Sequence, residues 1–212
     1  MAKMKWKDCF KCIKCKTTTF CKGHKEYDRQ CTKCRWHESP TSGTLFHLCK
    51  LPLLKAFYIT YYVSTNRNGI SSTELSRKLD LRQKTCWLFK QKAMKVMESS
   101  QNFPLVGQVE VAESYVGGQD DKVLGRNEGK KKIMVVGIEK IGKGENFKQM
   151  HRVIMMFKSW LRGTHHSVMY LQPYINEYTY RFNRHKMKKG IFENPMRRMV
   201  DKPPYPHKEF ML

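Results

Sequence analysis

Six of the eight cysteines in the 212-residue chain lie before residue 35, and their spacing is typical of a metal site. Cys12 and Cys15 form one C-x2-C pair, Cys31 and Cys34 form a second, and 15 residues separate the two pairs. A two-residue gap lets one tight turn direct two thiolates at one ion, and two such turns complete a tetrahedron. The sequence therefore predicts a zinc ribbon over residues 1–44, with a structural Zn²⁺ on these four cysteines.

The register of the ligands is open at the level of sequence. Cys9 and Cys12 have the same spacing as the first pair, and Cys21 or His24 could replace another ligand. We favour Cys12 and Cys15 as the first pair because Cys9 lies close to the chain terminus. Disulfides are the competing use of these cysteines, and an intracellular location disfavours them.

A second group of residues predicts a helix-turn-helix. Ser71-x-x-Glu74 forms a capping box, which marks the start of a short helix. After a break at residues 80–82, a second helix is predicted from about Gln83 to Met97. Its apolar residues recur at spacings of three and four and predict one buried stripe of Cys86, Phe89, Ala93 and Val96. A short helix, a three-residue turn and a longer basic helix match the helix-turn-helix pattern.

The start of the second helix of this motif enters the major groove of DNA. Gln83 and Lys84 are therefore predicted to face base edges, and Arg82 and Lys90 to contact phosphates. The charge of the chain agrees, since 41 Lys and Arg against 18 Asp and Glu leave a formal charge of +23. Residues 1–104 carry 21 basic and 7 acidic groups, and residues 105–212 carry 20 and 11. Both halves are expected to face a polyanion, and double-stranded DNA is the predicted partner.

The remaining elements predict an α+β protein. A buried helix is expected over residues 51–63, after a linker or turn at residues 38–44. Alternating apolar residues predict a strand over residues 109–116. A continuous apolar run predicts a second strand over residues 133–138, in a sheet covered on both faces. Amphipathic helices are expected from residue 147 and over residues 171–182, and the tail from residue 201 is expected to be irregular.

Composition excludes several classes of protein. The 40% hydrophobic and 12% aromatic content argues against a wholly disordered basic chain. No apolar run approaches the roughly 20 residues that span a bilayer, so no membrane association is expected. The charged N-terminus lacks the apolar segment of a secretion signal. We expect a cytoplasmic protein.

Several motifs in consistent order resemble bacterial insertion-sequence transposases of the ISXO type. After the cysteine pairs they are Thr41-Ser42-Gly43-Thr44-Leu45-Phe46, Lys50-Leu51-Pro52-Leu53, Gly69-Ile70-Ser71, Val109-Glu110-Val111-x-Glu113-x-Tyr115-Val116-Gly117-Gly118, Trp160-Leu161-Arg162-Gly163-Thr164-His165-His166 and Tyr178-x-Tyr180-Arg181-Phe182-Asn183-Arg184. The resemblance implies a zinc ribbon (1–44), a helical DNA-binding region (45–104) and an RNase H-like DDE-superfamily domain (105–212). It also implies Mg²⁺ on spaced carboxylates or carboxamides for DNA recombination.

The chain departs from the family's catalytic pattern at three places. Ala112 stands where the family has its first metal-binding Asp, and a methyl group cannot coordinate Mg²⁺. The short connection from Ile141 to Phe147 leaves no room for the strand that bears the second Asp. Lys158 is retained, but Met156 occupies the place of the family's Asn or Glu two residues earlier. Glu110, the neighbour of Ala112 on the same strand face, is the nearest replacement carboxylate.

These departures predict a transposase-related DNA-binding protein that has lost catalysis and no longer binds Mg²⁺. One alternative is an active transposase that uses non-standard carboxylates. Another is a regulator of transposition that competes for the DNA. The expected partners are the ends of an insertion element and a second copy of the chain, and the expected location is the nucleoid of a bacterial cytoplasm.

Overall fold

The computed structural model describes residues 1–99, 104–117, 132–139, 147–165, 168, 170–188 and 190–205. The chain divides into two compact units, one formed by residues 1–97 with 181–212 and the other by residues 98–180. The predicted ribbon and helical region therefore lie in one unit. The carboxy-terminal segment, which the sequence assigned to the third domain, belongs to that same unit.

A small antiparallel sheet in the order β1-β2-β3 forms the ribbon. The elements are α1 (Ala2–Lys5), β1 (Phe20–Lys22), β2 (Arg29–Cys31) and β3 (His37–Glu38). The strands have only two or three residues, and the buried residues beside them are Trp6, Phe10, Cys12 and Cys31. The Arg29 guanidinium lies 4.2 Å from the ring centre of Trp6 and 4.0 Å from that of Phe20. Cation–π contacts thus hold the amino-terminal turn on the sheet.

The segment after β3, expected to be a linker or turn, forms turns that are packed into the first unit. Glu38 and Thr44 are buried. The Lys5 ammonium lies 2.8 Å from the Glu38 carboxylate and donates to the carbonyl of Ser39 at 3.0 Å. Burial lowers the pKa of Lys5, and the Glu38 carboxylate opposes that shift. A buried ion pair with these extra hydrogen bonds fixes the segment, so it does not act as a flexible connection.

Four longer helices complete the first unit: α2 (Leu53–Thr65), α3 (Ser72–Leu79), α4 (Gln83–Val96) and α7 (Gly190–Asp201). The predicted start of this helix at Ser71 is confirmed, because the Ser71 hydroxyl accepts a hydrogen bond from the Glu74 amide at 3.1 Å. The Glu74 carboxylate lies 3.3 Å from the Lys78 ammonium, one turn further along the helix. The predicted stripe on α4 is confirmed too, since all four of its residues are buried. The prediction that α2 is buried is wrong for one face, where Leu54 and Tyr58 are exposed.

Helix α7 was not predicted, although it packs against α2 and α4. Its Met199 is fully buried and its carbonyl accepts a hydrogen bond from the Leu45 amide at 3.0 Å. The Arg198 guanidinium donates to the carbonyl of Val96 at 3.2 Å, near the end of α4. Pro195 lies inside the helix, and an interior proline argues against a helix at the level of sequence. Tertiary packing outweighs that local preference.

The second unit contains an antiparallel pair of strands with a helix packed against it. The elements are β4 (Val109–Val116), β5 (Lys132–Glu139), α5 (Phe147–Thr164) and α6 (Gln172–Asn183), whose last residues belong to the first unit. Ala112 pairs with Val136, and Glu110 pairs with Ile138. Val111 and Val135, on the other face, are exposed by 60% and 67%. The prediction of a sheet covered on both faces is therefore wrong within the residues that the structure describes.

None of the described helices combines the length and the hydropathy needed to cross a membrane. The 18-residue α5 is the longest of them. It carries Lys148, Arg152, Lys158 and Arg162 at intervals along its length.

The packing of α7 predicts that this helix stabilises the first unit. We expect Met199→Ala to lower the free energy of unfolding by about 2–5 kcal/mol, because truncating a buried methionine leaves a cavity. Met187→Ala is the matched control, since Met187 is 47% exposed and should change stability by less than about 0.5 kcal/mol. Urea unfolding followed by circular dichroism measures both. Equal stability of the two variants would contradict the role of α7.

Candidate functional site

Two loops of the ribbon have the same backbone geometry and carry the four cysteines. We call residues 12–17 and 31–36 the knuckle loops. In the first, the Cys12 amide donates to the carbonyl of Thr17 at 2.9 Å, and the Lys16 amide donates to the carbonyl of Cys12 at 3.0 Å. The second loop repeats both bonds at 3.0 Å between Cys31, Arg35 and Trp36. These tight turns point each pair of cysteines at one place.

The four sulfurs converge on a volume suited to one metal ion. All of them lie within 4.8 Å of one another. The sulfur of Cys12 is 3.6 Å from that of Cys34, and the sulfur of Cys15 is 3.4 Å from that of Cys31. Zn–S bonds of about 2.3 Å in a tetrahedron separate the sulfurs by about 3.8 Å, close to these values. The cluster can therefore hold a metal such as zinc.

The geometry also decides among the alternative ligands. Cys9 and Cys21 are exposed and lie outside the cluster, and all eight cysteines are free thiols. Hydrogen bonds from Thr17, whose hydroxyl lies 3.3 Å from the Cys15 sulfur, lower the pKa of the Cys15 thiol to about 6. At Cys15 the thiolate, which is the form that binds metal, is thus favoured at neutral pH. Burial and hydrogen bonds with the neighbouring cysteines raise the pKa of the Cys34 thiol to about 12.

The predicted DNA-reading residues lie at the exposed start of α4. Arg82, Gln83 and Lys84 are all exposed. The Gln83 amide donates to the Ser72 hydroxyl at 2.7 Å, which orients the Gln83 side chain across the turn. Further along α4, Gln91 is buried, so only the first turn of the helix is open to a groove. Neither Ser72 nor Thr17, whose hydroxyl contacts the Cys15 sulfur, was singled out from sequence, because no spacing rule marks such supporting hydroxyls.

The prediction that Lys90 contacts phosphate is wrong. Lys90 is 1% exposed, and its ammonium donates to the carbonyl of Ile70 at 2.6 Å. Its position on α4 lies one residue after the buried Phe89, inside the core of the first unit. A buried ammonium that satisfies a backbone carbonyl has a structural role, because it removes an unpaired acceptor from the interior.

In the part of the chain that the structure describes, the residues at the positions expected for a transposase metal site do not form a carboxylate cluster. Glu110 and Ala112 share the less exposed face of β4, while Glu113 lies on the opposite, exposed face. On α5, Met156 is 44% exposed and Lys158 is half-buried. Burial, and then the charge of Arg162, lower the pKa of Lys158. Within the described residues, the cysteine cluster is the one group with metal-ligand spacing, and no carboxylate cluster accompanies it.

Residues 139–183 match the family model of the ISXO2-like transposase domain. This segment is similar to that domain. The resemblance predicted from the sequence is confirmed over these residues, which include α5, α6 and the positions of Met156 and Lys158. Residues 140–146, where the catalytic strand was predicted to be missing, lie outside the described residues. Neither the curated proteins nor the solved structures compared with the chain gave a match.

The geometry of the cluster predicts one Zn²⁺ per chain. We expect Cys31→Ser/Cys34→Ser to lose the metal and to unfold the chain up to about residue 40, because forming the site and folding the ribbon are coupled. Metal analysis with hydrogen exchange measures both effects. A Cys9→Ser/Cys21→Ser control should keep the metal, and loss of zinc from that control would contradict the assignment.

Proposed function

We propose that this protein is a transposase-related DNA-binding protein of an insertion sequence that has lost catalysis. It binds double-stranded DNA at element ends through a helix-turn-helix formed by α3 and α4. A structural Zn²⁺ on Cys12, Cys15, Cys31 and Cys34 maintains the ribbon. Its location is the nucleoid of a bacterial cytoplasm. The match of residues 139–183 to the ISXO2-like transposase domain supports the relation to transposition.

The observation that carries DNA binding is the exposed, cationic first turn of α4 behind a three-residue turn. Arg82 and Lys84 are exposed there, and Lys78 is exposed on α3 before the turn. The helix itself is held rigidly, since most of its later residues are buried. A rigid helix with an open, positively charged start suits insertion into a major groove. Arg82 would position the protein on phosphate, and Lys84 would contact a base edge.

The second unit has exposed apolar residues that are suited to self-association. Val111, Ile133 and Val135 are exposed on one face of β4 and β5, which also carries Glu113. Exposed apolar side chains are a feature of interaction sites. We therefore keep a second copy of the chain among the proposed partners.

DNA binding predicts different effects for the two cations at the start of α4. We expect Lys84→Ala to relax the sequence preference obtained by selection from a random duplex pool, because it removes a base contact. Arg82→Gln should weaken all duplexes alike and lower the salt slope by about one. Lys186→Gln, at an exposed lysine away from α4, is the control. A salt-independent affinity, or an unchanged preference in Lys84→Ala, would count against this function.

The described residues supply too few oxygen ligands to hold the two metal ions that catalysis needs. Phosphodiester attack by two metal ions needs them about 3.5–4 Å apart, held by several carboxylates on a rigid sheet. Ala112 contributes no oxygen, Met156 is exposed on α5, and Glu110 alone cannot hold two ions. A strand, a helix and another strand cannot fit between Glu139 and Phe147, since a crossover connection takes a dozen or more residues.

We therefore expect no nicking or strand transfer by the purified chain, with Mg²⁺ or with Mn²⁺. Restoring the missing group with Ala112→Asp should not create activity, because the second carboxylate would still be absent. Gel analysis of a duplex bearing candidate element ends measures strand cleavage. Metal-dependent nicking that Glu110→Gln abolishes would favour the alternative, an active enzyme with non-standard carboxylates.

A further inference from the structure

The knuckle loops carry an unusual concentration of exposed cations around one exposed aromatic ring. Trp36 is 45% exposed at the end of the second loop. The Lys14 ammonium, from the first loop, lies 5.6 Å from the centre of the Trp36 ring. The other exposed cations on these loops and beside them are Lys11, Lys16, Lys33 and Arg35. The helix-turn-helix proposal uses none of these residues.

Backbone conformation supplies an independent observation. Lys16 and Arg35 occupy equivalent places, each directly after the second cysteine of its pair. Both have left-handed backbone geometry, with φ of 63° for Lys16 and 55° for Arg35. Glycine adopts this conformation without steric cost, whereas a side chain makes it unfavourable. A cation is thus present in both loops where the backbone favours glycine, and strain of this kind points to a function for the side chain.

We propose that the knuckle loops bind single-stranded DNA, with an unpaired base stacked on Trp36 and phosphates held by Lys14, Lys16 and Arg35. An indole presents a flat π-surface to any base, and neighbouring cations follow the phosphate backbone. A paired base inside a duplex offers no face for such stacking. The loops therefore select unpaired strands, while the start of α4 takes the duplex.

The two surfaces would recognise different parts of a DNA, an unpaired strand at the knuckle loops and a duplex at the start of α4. This inference deepens the proposed DNA binding and rests on it. Bound zinc would hold the knuckle loops in their folded shape, because these loops carry the four cysteines of the cluster. The full chain with bound zinc is therefore the protein to test.

The first test titrates single-stranded oligothymidine into the full chain. We expect quenching of tryptophan fluorescence that is lost in Trp36→Ala, because Trp36 is the one exposed tryptophan of four, while Trp6 is buried and Trp87 and Trp160 are half-buried. Trp36→Ala should weaken binding about 5- to 100-fold, the range found when a stacking aromatic residue is removed. Trp36→Phe should recover part of the affinity. Tyr27→Ala is the matched control, since Tyr27 is a 60% exposed aromatic residue of the ribbon outside the knuckle loops.

The second test separates binding from stability. In the Lys16→Gly/Arg35→Gly variant, we expect the salt slope for oligothymidine to fall by about 1.4, as two phosphate contacts are lost from a single strand. The same variant should unfold at a temperature about 2–8 °C higher, because glycine relieves the left-handed strain. A purely structural role for these residues would leave the slope unchanged.

These tests separate single-strand binding by the knuckle loops from duplex binding by the helix-turn-helix. Unchanged oligothymidine affinity in zinc-loaded Trp36→Ala, or an unchanged salt slope in the double glycine variant, overturns single-strand binding by the knuckle loops. Duplex selection that still depends on Lys84 would leave the helix-turn-helix function intact in that case. Weaker oligothymidine binding in Trp36→Ala, with Tyr27→Ala unaffected, supports the inference.

Discussion

The convergence of four cysteine sulfurs is the constraint on which the amino-terminal part of the protein depends. The ribbon strands have two or three residues each, and two of the four residues in their small core are cysteines of the cluster. So little buried apolar area cannot stabilise a fold by itself. The four sulfurs lie together where the two knuckle loops meet. The Lys5–Glu38 ion pair then holds the segment that follows β3 against the amino-terminal helix.

In the first unit, the amino-terminal and carboxy-terminal parts of the chain pack together and leave the first turn of α4 exposed. Helices α2 and α7 pack against α4, so half of its residues are buried. Arg82, Gln83 and Lys84 form a continuous exposed stretch at its start. The burial of Lys90 belongs to the same arrangement, because its ammonium satisfies a carbonyl that packing removes from water. Rigid support of a few exposed residues is what sequence-specific contact requires, since a flexible helix would lose the binding energy to ordering.

The second unit includes most of the segment that is similar to the ISXO2-like transposase domain. Helix α5 packs against β4 and β5, and Glu110 and Ala112 lie on the less exposed face of β4. The similarity to the ISXO2-like transposase domain lies in residues 139–183, beyond the strand where the first catalytic Asp of that family is expected. The match covers α5 and α6, and within the described residues no cluster of carboxylates accompanies these helices.

Local patterns in the sequence determined most of what can be stated about this protein. Cysteine spacing predicted which four sulfurs converge, the Ser71 N-cap signal predicted the start of α3, and apolar periodicity predicted α4 and α5. These signals act between residues close in the chain. The tertiary structure alone decided that α7 joins the first unit, that Lys90 is buried and that Val111 and Val135 are exposed. Each of these depends on residues far apart in sequence, since burial is set by which surfaces meet and no local pattern encodes that meeting.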